Sequence, residues 1–141
     1  MVSDELKSIT ETLKTQGKMR FLSPCSEEQI TQFVRKHNIT LPKQYKEWLQ
    51  FSDGGECFLP AGVQFYGISQ KPFIDVDDNS RPDNSYVVIG VLASGDPILI
   101  KKDSEQISIY NQEAGRIEDD EVYVDFFAFL NDLYDILGMG E

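Results

Sequence analysis

A single histidine, His37, and two cysteines, Cys25 and Cys57, are the only His and Cys side chains in this chain of 141 residues. Any Ser-His-Asp or Cys-His scheme must therefore use His37 as its base. No Gly-x-Ser-x-Gly elbow accompanies it, because Gly67-Ile68-Ser69-Gln70-Lys71 lacks the second glycine. His37 reads instead as a partly exposed side chain in the last turn of a helix, where the helix dipole favours a cation. The cysteines are too few and too far apart for a disulfide framework or a zinc knuckle. They read as thiols, one or both buried as small hydrophobes.

The carboxylates offer two further templates. Asp75-Val76-Asp77-Asp78-Asn79 begins like a calcium-binding loop. It then places Ser80 where the sharp turn needs glycine, and Tyr86 where a bidentate glutamate belongs. Glu118-Asp119-Asp120-Glu121 puts four acidic residues in a row with no His or Cys nearby, which disfavours transition-metal ligation. It reads as a solvated turn before the last helix or as a surface for a cation or a basic partner. The Gly54-Gly55 pair follows a helix rather than opening one, so its amides are not set to cradle a phosphate. These residues together imply no catalytic constellation, no metal and no cofactor.

Charge points to a partner. The chain carries a formal net charge of −11. Residues 1–82 hold 11 acidic and 10 basic side chains, whereas residues 83–141 hold 13 and 3, a split of −1 against −10. Such an imbalance costs stability through self-repulsion and is not needed for folding. It fits either the solubility of a small acidic protein or a surface complementary to a basic protein, with Glu118, Asp119, Asp120 and Glu121 as candidate contacts and Asp75, Asp77 and Asp78 as a second edge. The same surface repels phosphates, which argues against direct nucleic-acid binding. The polar start Met1-Val2-Ser3-Asp4-Glu5-Leu6-Lys7 lacks a secretory h-region. The longest strongly apolar run, Tyr86 to Ala93, is far short of the ~20 residues that span a bilayer. The expectation is a soluble, cytoplasmic protein in which the sequon Asn38-Ile39-Thr40 has no role.

The elements that must position these residues follow from periodicity. Ser3 is placed to cap a helix carrying Leu6, Ile9 and Leu13, ending near Gly17. Met19-Arg20-Phe21-Leu22 is a short extended link. Ser26-Glu27-Glu28-Gln29 is a capping box that opens a second helix, with Ile30, Phe33 and Val34 buried and a stop near His37-Asn38. A third helix runs from Pro42 to Ser52. Beyond Glu56 the period changes to that of strands: Cys57-Phe58-Leu59, Val63-Gln64-Phe65-Tyr66, Tyr86 to Leu92, Ile98 to Lys101 and Ile107 to Tyr110, the last three joined by short turns as an antiparallel meander. Residues 75–85 form the longest loop. Phe126, Phe127, Phe129, Leu130, Leu133, Tyr134 and Leu137 mark a C-terminal helix whose wide apolar face must lie on the sheet. The order gives one α+β domain over residues 1–141: N-terminal helices, then an antiparallel sheet, then a C-terminal helix packed on it.

One stretch is unusually specific. From Leu41 to Glu56, Pro42 stands at a helix start, and Tyr45, Trp48 and Leu49 fall at i, i+3 and i+4 as a buried stripe. Asp53-Gly54-Gly55-Glu56 then ends the helix through a left-handed glycine and enters a strand. This box resembles the core motif of the SUKH superfamily, the Smi/Knr-type proteins. The turn Ser94-Gly95-Asp96-Pro97, following Ile89-Gly90, resembles that family's glycine-aspartate hairpin. Val124-Asp125-Phe126-Phe127-Ala128-Phe129-Leu130 resembles its last-helix motif, with Asp125 and Ala128 where a serine-phenylalanine-glutamate pattern is more usual. The resemblance covers roughly residues 25–138. It implies a non-catalytic binding protein: a bacterial immunity protein that neutralises a polymorphic toxin, often a nuclease, or an intracellular scaffold or regulator with no toxin partner. It brings no catalytic residues, and it leaves the oligomeric state open.

Overall fold

The computed structural model describes residues 3–16, 19–37, 40–57, 62–68, 86–92 and 95–133, the side chains of Gln16, Met19, Cys57, Asp119, Asp120 and Glu121 excepted. Asp75, Asp77 and Asp78 lie outside the described residues, as do Asn38, Phe58, Leu59, Tyr134 and Leu137.

Helix α1 (Asp4–Gln16) begins where the Ser3 hydroxyl accepts the Leu6 amide at 3.2 Å, and it buries Leu6, Ile9 and Leu13. Strand β1 (Met19–Arg20) follows. Helix α2 (Glu27–Lys36) opens on the expected capping box, with the Gln29 amide donating to Ser26 Oγ at 3.1 Å and the Ser26 amide to Gln29 Oε1 at 2.8 Å. Each such cap satisfies an orphan donor of the first turn. Helix α3 (Lys43–Phe51) carries the Tyr45, Trp48 and Leu49 stripe, all three fully buried.

Strands β2 (Gly55–Cys57), β3 (Val63–Phe65), β4 (Tyr86–Leu92), β5 (Pro97–Lys101), β6 (Ile107–Asn111) and β7 (Arg116–Tyr123) join β1 in one seven-stranded sheet. Every neighbour is antiparallel and the spatial order is the chain order, so the meander is longer than the sequence pattern implies. Helix α4 (Phe126–Asn131) closes the described chain, buries Phe126, Phe127, Phe129 and Leu130, and packs against α1, α3 and β7. The architecture is α+β, with the helices on one face of an antiparallel sheet.

That face holds the core. Val87, Ile89, Ile98, Ile100, Ile107 and Ile109 from the sheet pack with the helical stripes. Trp48 lies at the centre, its ring 5.4 Å from Phe65, 5.8 Å from Phe126, 5.5 Å from Phe51 and 6.1 Å from Phe21. Edge-to-face pairs of this kind add roughly 0.5–1.5 kcal/mol each beyond area burial. Strand alternation sends Val88, Leu99 and Ser108 to the opposite face, where they are buried outside this cluster.

The strand β7 is the main departure from the sequence reading. Residues 118–121 are not a turn before the last helix but part of the sheet's outermost strand. Asp and Glu are depleted in strands, which hides the element in the sequence. Its pairing is interrupted: the register passes from Ser108↔Val122 to Tyr110↔Ile117, leaving Ile109 alone opposite Glu118, Asp119, Asp120 and Glu121. The acidic run is a wide bulge in an edge strand. Bulges and charges are the usual means by which sheet edges are kept from pairing with other chains.

Candidate functional site

Two groups of residues stand out, the Leu41-to-Glu56 box and the acidic edge, and the structure gives them different work.

The box is the junction of the fold. Leu41 and Pro42 are buried, and Pro42 is the N-cap of α3, with φ −59° and ψ 146°, one position earlier than a first helical residue. It has no capping side chain, so the cap comes from elsewhere. Glu105, on the β5–β6 turn, accepts the Lys43 amide at 2.9 Å and the Gln44 amide at 3.4 Å. A carboxylate there also complements the positive helix end. Gln44 in turn accepts the Phe127 amide at 2.8 Å and donates to Asp125 at 3.1 Å, while Asp125 caps α4 through the Ala128 amide at 2.8 Å. Glu47 accepts the Ser3 hydroxyl at 2.7 Å. One short helix thereby fixes the starts of two others.

The end of α3 is built differently from a glycine C-cap. Ser52 is the C-cap and is extended (φ −153°, ψ 131°), and the glycines follow it at φ +91° for Gly54 and +118° for Gly55. Their task is a close approach of backbones. A Cβ on Gly54 would stand 2.5 Å from the Phe65 carbonyl oxygen, and one on Gly55 would stand 3.0 Å from that of Arg20. The Gly54 carbonyl accepts both Trp48 Nε1 at 2.9 Å and Ser52 Oγ at 2.8 Å. Ser52 Oγ also accepts the Leu22 amide at 2.9 Å. Glu56 continues into β2, half-buried, opposite Arg20 and Gln64.

Asp53, which the sequence places only in the turn that stops α3, is a buried carboxylate, 3 % exposed. It accepts the Ile68 amide at 2.6 Å, and the Cys25 thiol hydrogen-bonds to it. Burial pushes the Cys25 pKa up to about 12, with the Asp53 hydrogen bond and charge adding to the effect. Burial likewise raises Tyr45, again reinforced by Asp53 and then by Cys25, and the Tyr45 hydroxyl donates to the Tyr66 carbonyl. The Cys25 thiol and the Tyr45 hydroxyl are held in their protonated, unreactive forms. With its pKa raised from 9.0 to about 12, Cys25 favours the fold fully below pH 9, and that contribution fades as pH climbs through the interval. In a Cys57→Ser background, iodoacetamide should label Cys25 at pH 9 at least about tenfold more slowly in the folded protein than in urea. Equal rates would show that the thiol is not sequestered.

His37 is the C-cap of α2 and half-buried, its ring 4.6 Å from that of Phe33. Among the described residues, no group of three or more His, Cys, Asp or Glu side chains converges as a metal site, and no helix is long and apolar enough to cross a membrane. A cleft of about 300 Å³ opens between α2 and α3, but its walls mix Glu27 and Glu47 with Lys43 and Lys46. At the acidic edge, Glu118 is half-buried and pairs with Arg116 at 3.3 Å. Asp119, Asp120 and Glu121 are placed beside it by backbone alone.

An aromatic helix is locked into an all-antiparallel meander by an Asp-Gly-Gly turn, with an acidic outer strand, in an α+β domain. The SMI1 / KNR4 family (SUKH-1) profile matches residues 24–132, more than half of the chain, and the chain belongs to that family. Its members are generally non-catalytic and are associated with protein interaction. No curated protein matches the sequence.

Proposed function

We propose that this protein is a non-catalytic binding domain, folded as one unit over residues 1–141. In this reading it is a bacterial, cytoplasmic immunity protein that neutralises a cognate toxin by stoichiometric occlusion of a basic face. The observation that carries the reading is the charge split of −1 against −10, whose acidic half includes the bulged edge strand. Glu118, Asp119, Asp120 and Glu121 form the contact region, with Asp75, Asp77 and Asp78 as its second edge. Charged rims govern association more than dissociation.

The test begins with the gene immediately upstream, which on this reading encodes a large protein with a basic C-terminal domain. Association of that domain is measured at two ionic strengths against wild type and the variant Glu118→Gln, Asp119→Asn, Asp120→Asn, Glu121→Gln. The variant should associate at least about tenfold more slowly at low salt, with a flattened salt dependence. His37→Ala should bind as wild type does. An unchanged rate in the fourfold variant would remove the acidic surface from the interface. A neighbouring gene without toxin character, together with a non-toxin binding partner, would replace immunity by a scaffold or regulatory role.

A further inference from the structure

We infer that Val122 and Val124 are the apolar anchor of the partner interface. Residues 118–121 form its charged rim, and the partner presents an apolar recess within a basic surface. The inference rests on the acidic-surface reading above and adds to it the groups that hold the complex together once formed. Among the described residues the exposed large hydrophobics are these two, Val122 at 39 % and Val124 at 77 %. They lie two positions apart and next to the acidic bulge.

Val124 is the more telling of the pair. It lies past the end of β7, so strand propensity does not call for a β-branched residue there. It also immediately precedes the α4 N-cap Asp125, where an apolar side chain ordinarily packs back on the fourth helical residue, here Phe129. At 77 % exposed it does not.

Val122 continues a row that crosses the sheet. Pairing sets Val88 beside Leu99, Leu99 beside Ser108 and Ser108 beside Val122, all on the face away from the helices. The first three are 3 %, 0 % and 1 % exposed, and the row reaches solvent at Val122. The polar member is unsatisfied: Ser108 Oγ is buried without a hydrogen-bond partner, one strand inward of the anchor. Such a group is unusual in a native fold. A desolvated apolar centre inside a charged rim is the common layout of specific protein interfaces. The occupant is a basic protein and not a second copy, because two copies would bring acidic edges together.

The probes are two capped, lysine-rich peptides of equal length and charge, one with a leucine-tryptophan centre and the other with a serine-glycine centre. Their affinities are measured by fluorescence anisotropy against full-length protein, with circular dichroism confirming each variant's fold. Wild type should bind the apolar-centred peptide about tenfold more tightly than the polar one. Val124→Ser should erase most of that preference, and Val122→Ser with Val124→Ser all of it. Val124 is exposed enough that its replacement leaves folding intact. Equal affinities for the two peptides in wild type, no binding of either, or a preference that survives in the double valine variant each overturn the anchor. The fourfold Gln/Asn variant should weaken both peptides alike. If it binds them as wild type does while the valine dependence persists, the charge reading fails and the anchor stands.

Discussion

Gly54→Ala should lower stability by about 3–4 kcal/mol, on the order of 10 °C in Tm for a chain of this length. Two separate costs add. The left-handed backbone, φ +91°, strains any residue with a Cβ, which is worth about 1 kcal/mol or more. The new methyl would also sit 2.5 Å from the Phe65 carbonyl oxygen, a backbone atom of the β2–β3 ladder that cannot rotate away. Relieving that contact means moving a strand. It also disturbs the Gly54 carbonyl, which holds both Trp48 and Ser52. Gly115→Ala separates the two costs. Gly115 also has positive φ, +72°, but a Cβ there meets nothing within 4 Å. It should lose only about 1 kcal/mol, the conformational part. Thermal melts of both variants provide the check. If they fall equally, the close approach of backbones at Gly54 contributes nothing, and the Gly-Gly pair is only a helix stop.

The sequence made the box legible because each of its signals is local and strong. The stripe at Tyr45, Trp48 and Leu49, the capping box at Ser26 and the Ser3 cap depend on neighbours within a turn, and the structure keeps all of them. What escaped depends on partners far along the chain. The α3 N-terminus is capped by Glu105, more than sixty residues away, a pairing that no spacing rule reports. Asp53 reads as a turn residue, yet tertiary folding buries it against the Ile68 amide and the Cys25 thiol. Pro42 stands one position before the first helical residue, and the cap that no local side chain provides is supplied at long range. The strand β7 was hidden by its own composition. Ile117 and Val122-Tyr123 are strand-like, but four acidic residues separate them, and only the wide bulge reconciles that interruption with pairing. The same residues that made the candidate site visible as a charge run concealed the element that carries it.

Trp48→Ala should be the most damaging single truncation, at about 3–5 kcal/mol, a large share of the roughly 5–15 kcal/mol that holds a small domain folded. The side chain is fully buried and touches aromatic rings from β3, α3, α4 and the segment after β1 at once, so no single element can move in to fill the space. Trp48→Phe keeps most of the volume and should cost only about 1–2 kcal/mol. The reason it is mild is specific: Gly54 O, deprived of Trp48 Nε1, still accepts Ser52 Oγ. Ser52→Ala alone likewise leaves the Trp48 donor in place. The double variant removes both donors and strands a buried carbonyl, so its loss should exceed the sum of the singles by about 1–3 kcal/mol. Denaturant unfolding followed by circular dichroism measures the cycle, since Trp48 is the chain's one tryptophan and its fluorescence disappears with it. Additive losses would mean that the Gly54 carbonyl finds another donor or reaches water. The signature tryptophan would then act through volume alone, and the Asp-Gly-Gly turn would not depend on the helix that precedes it.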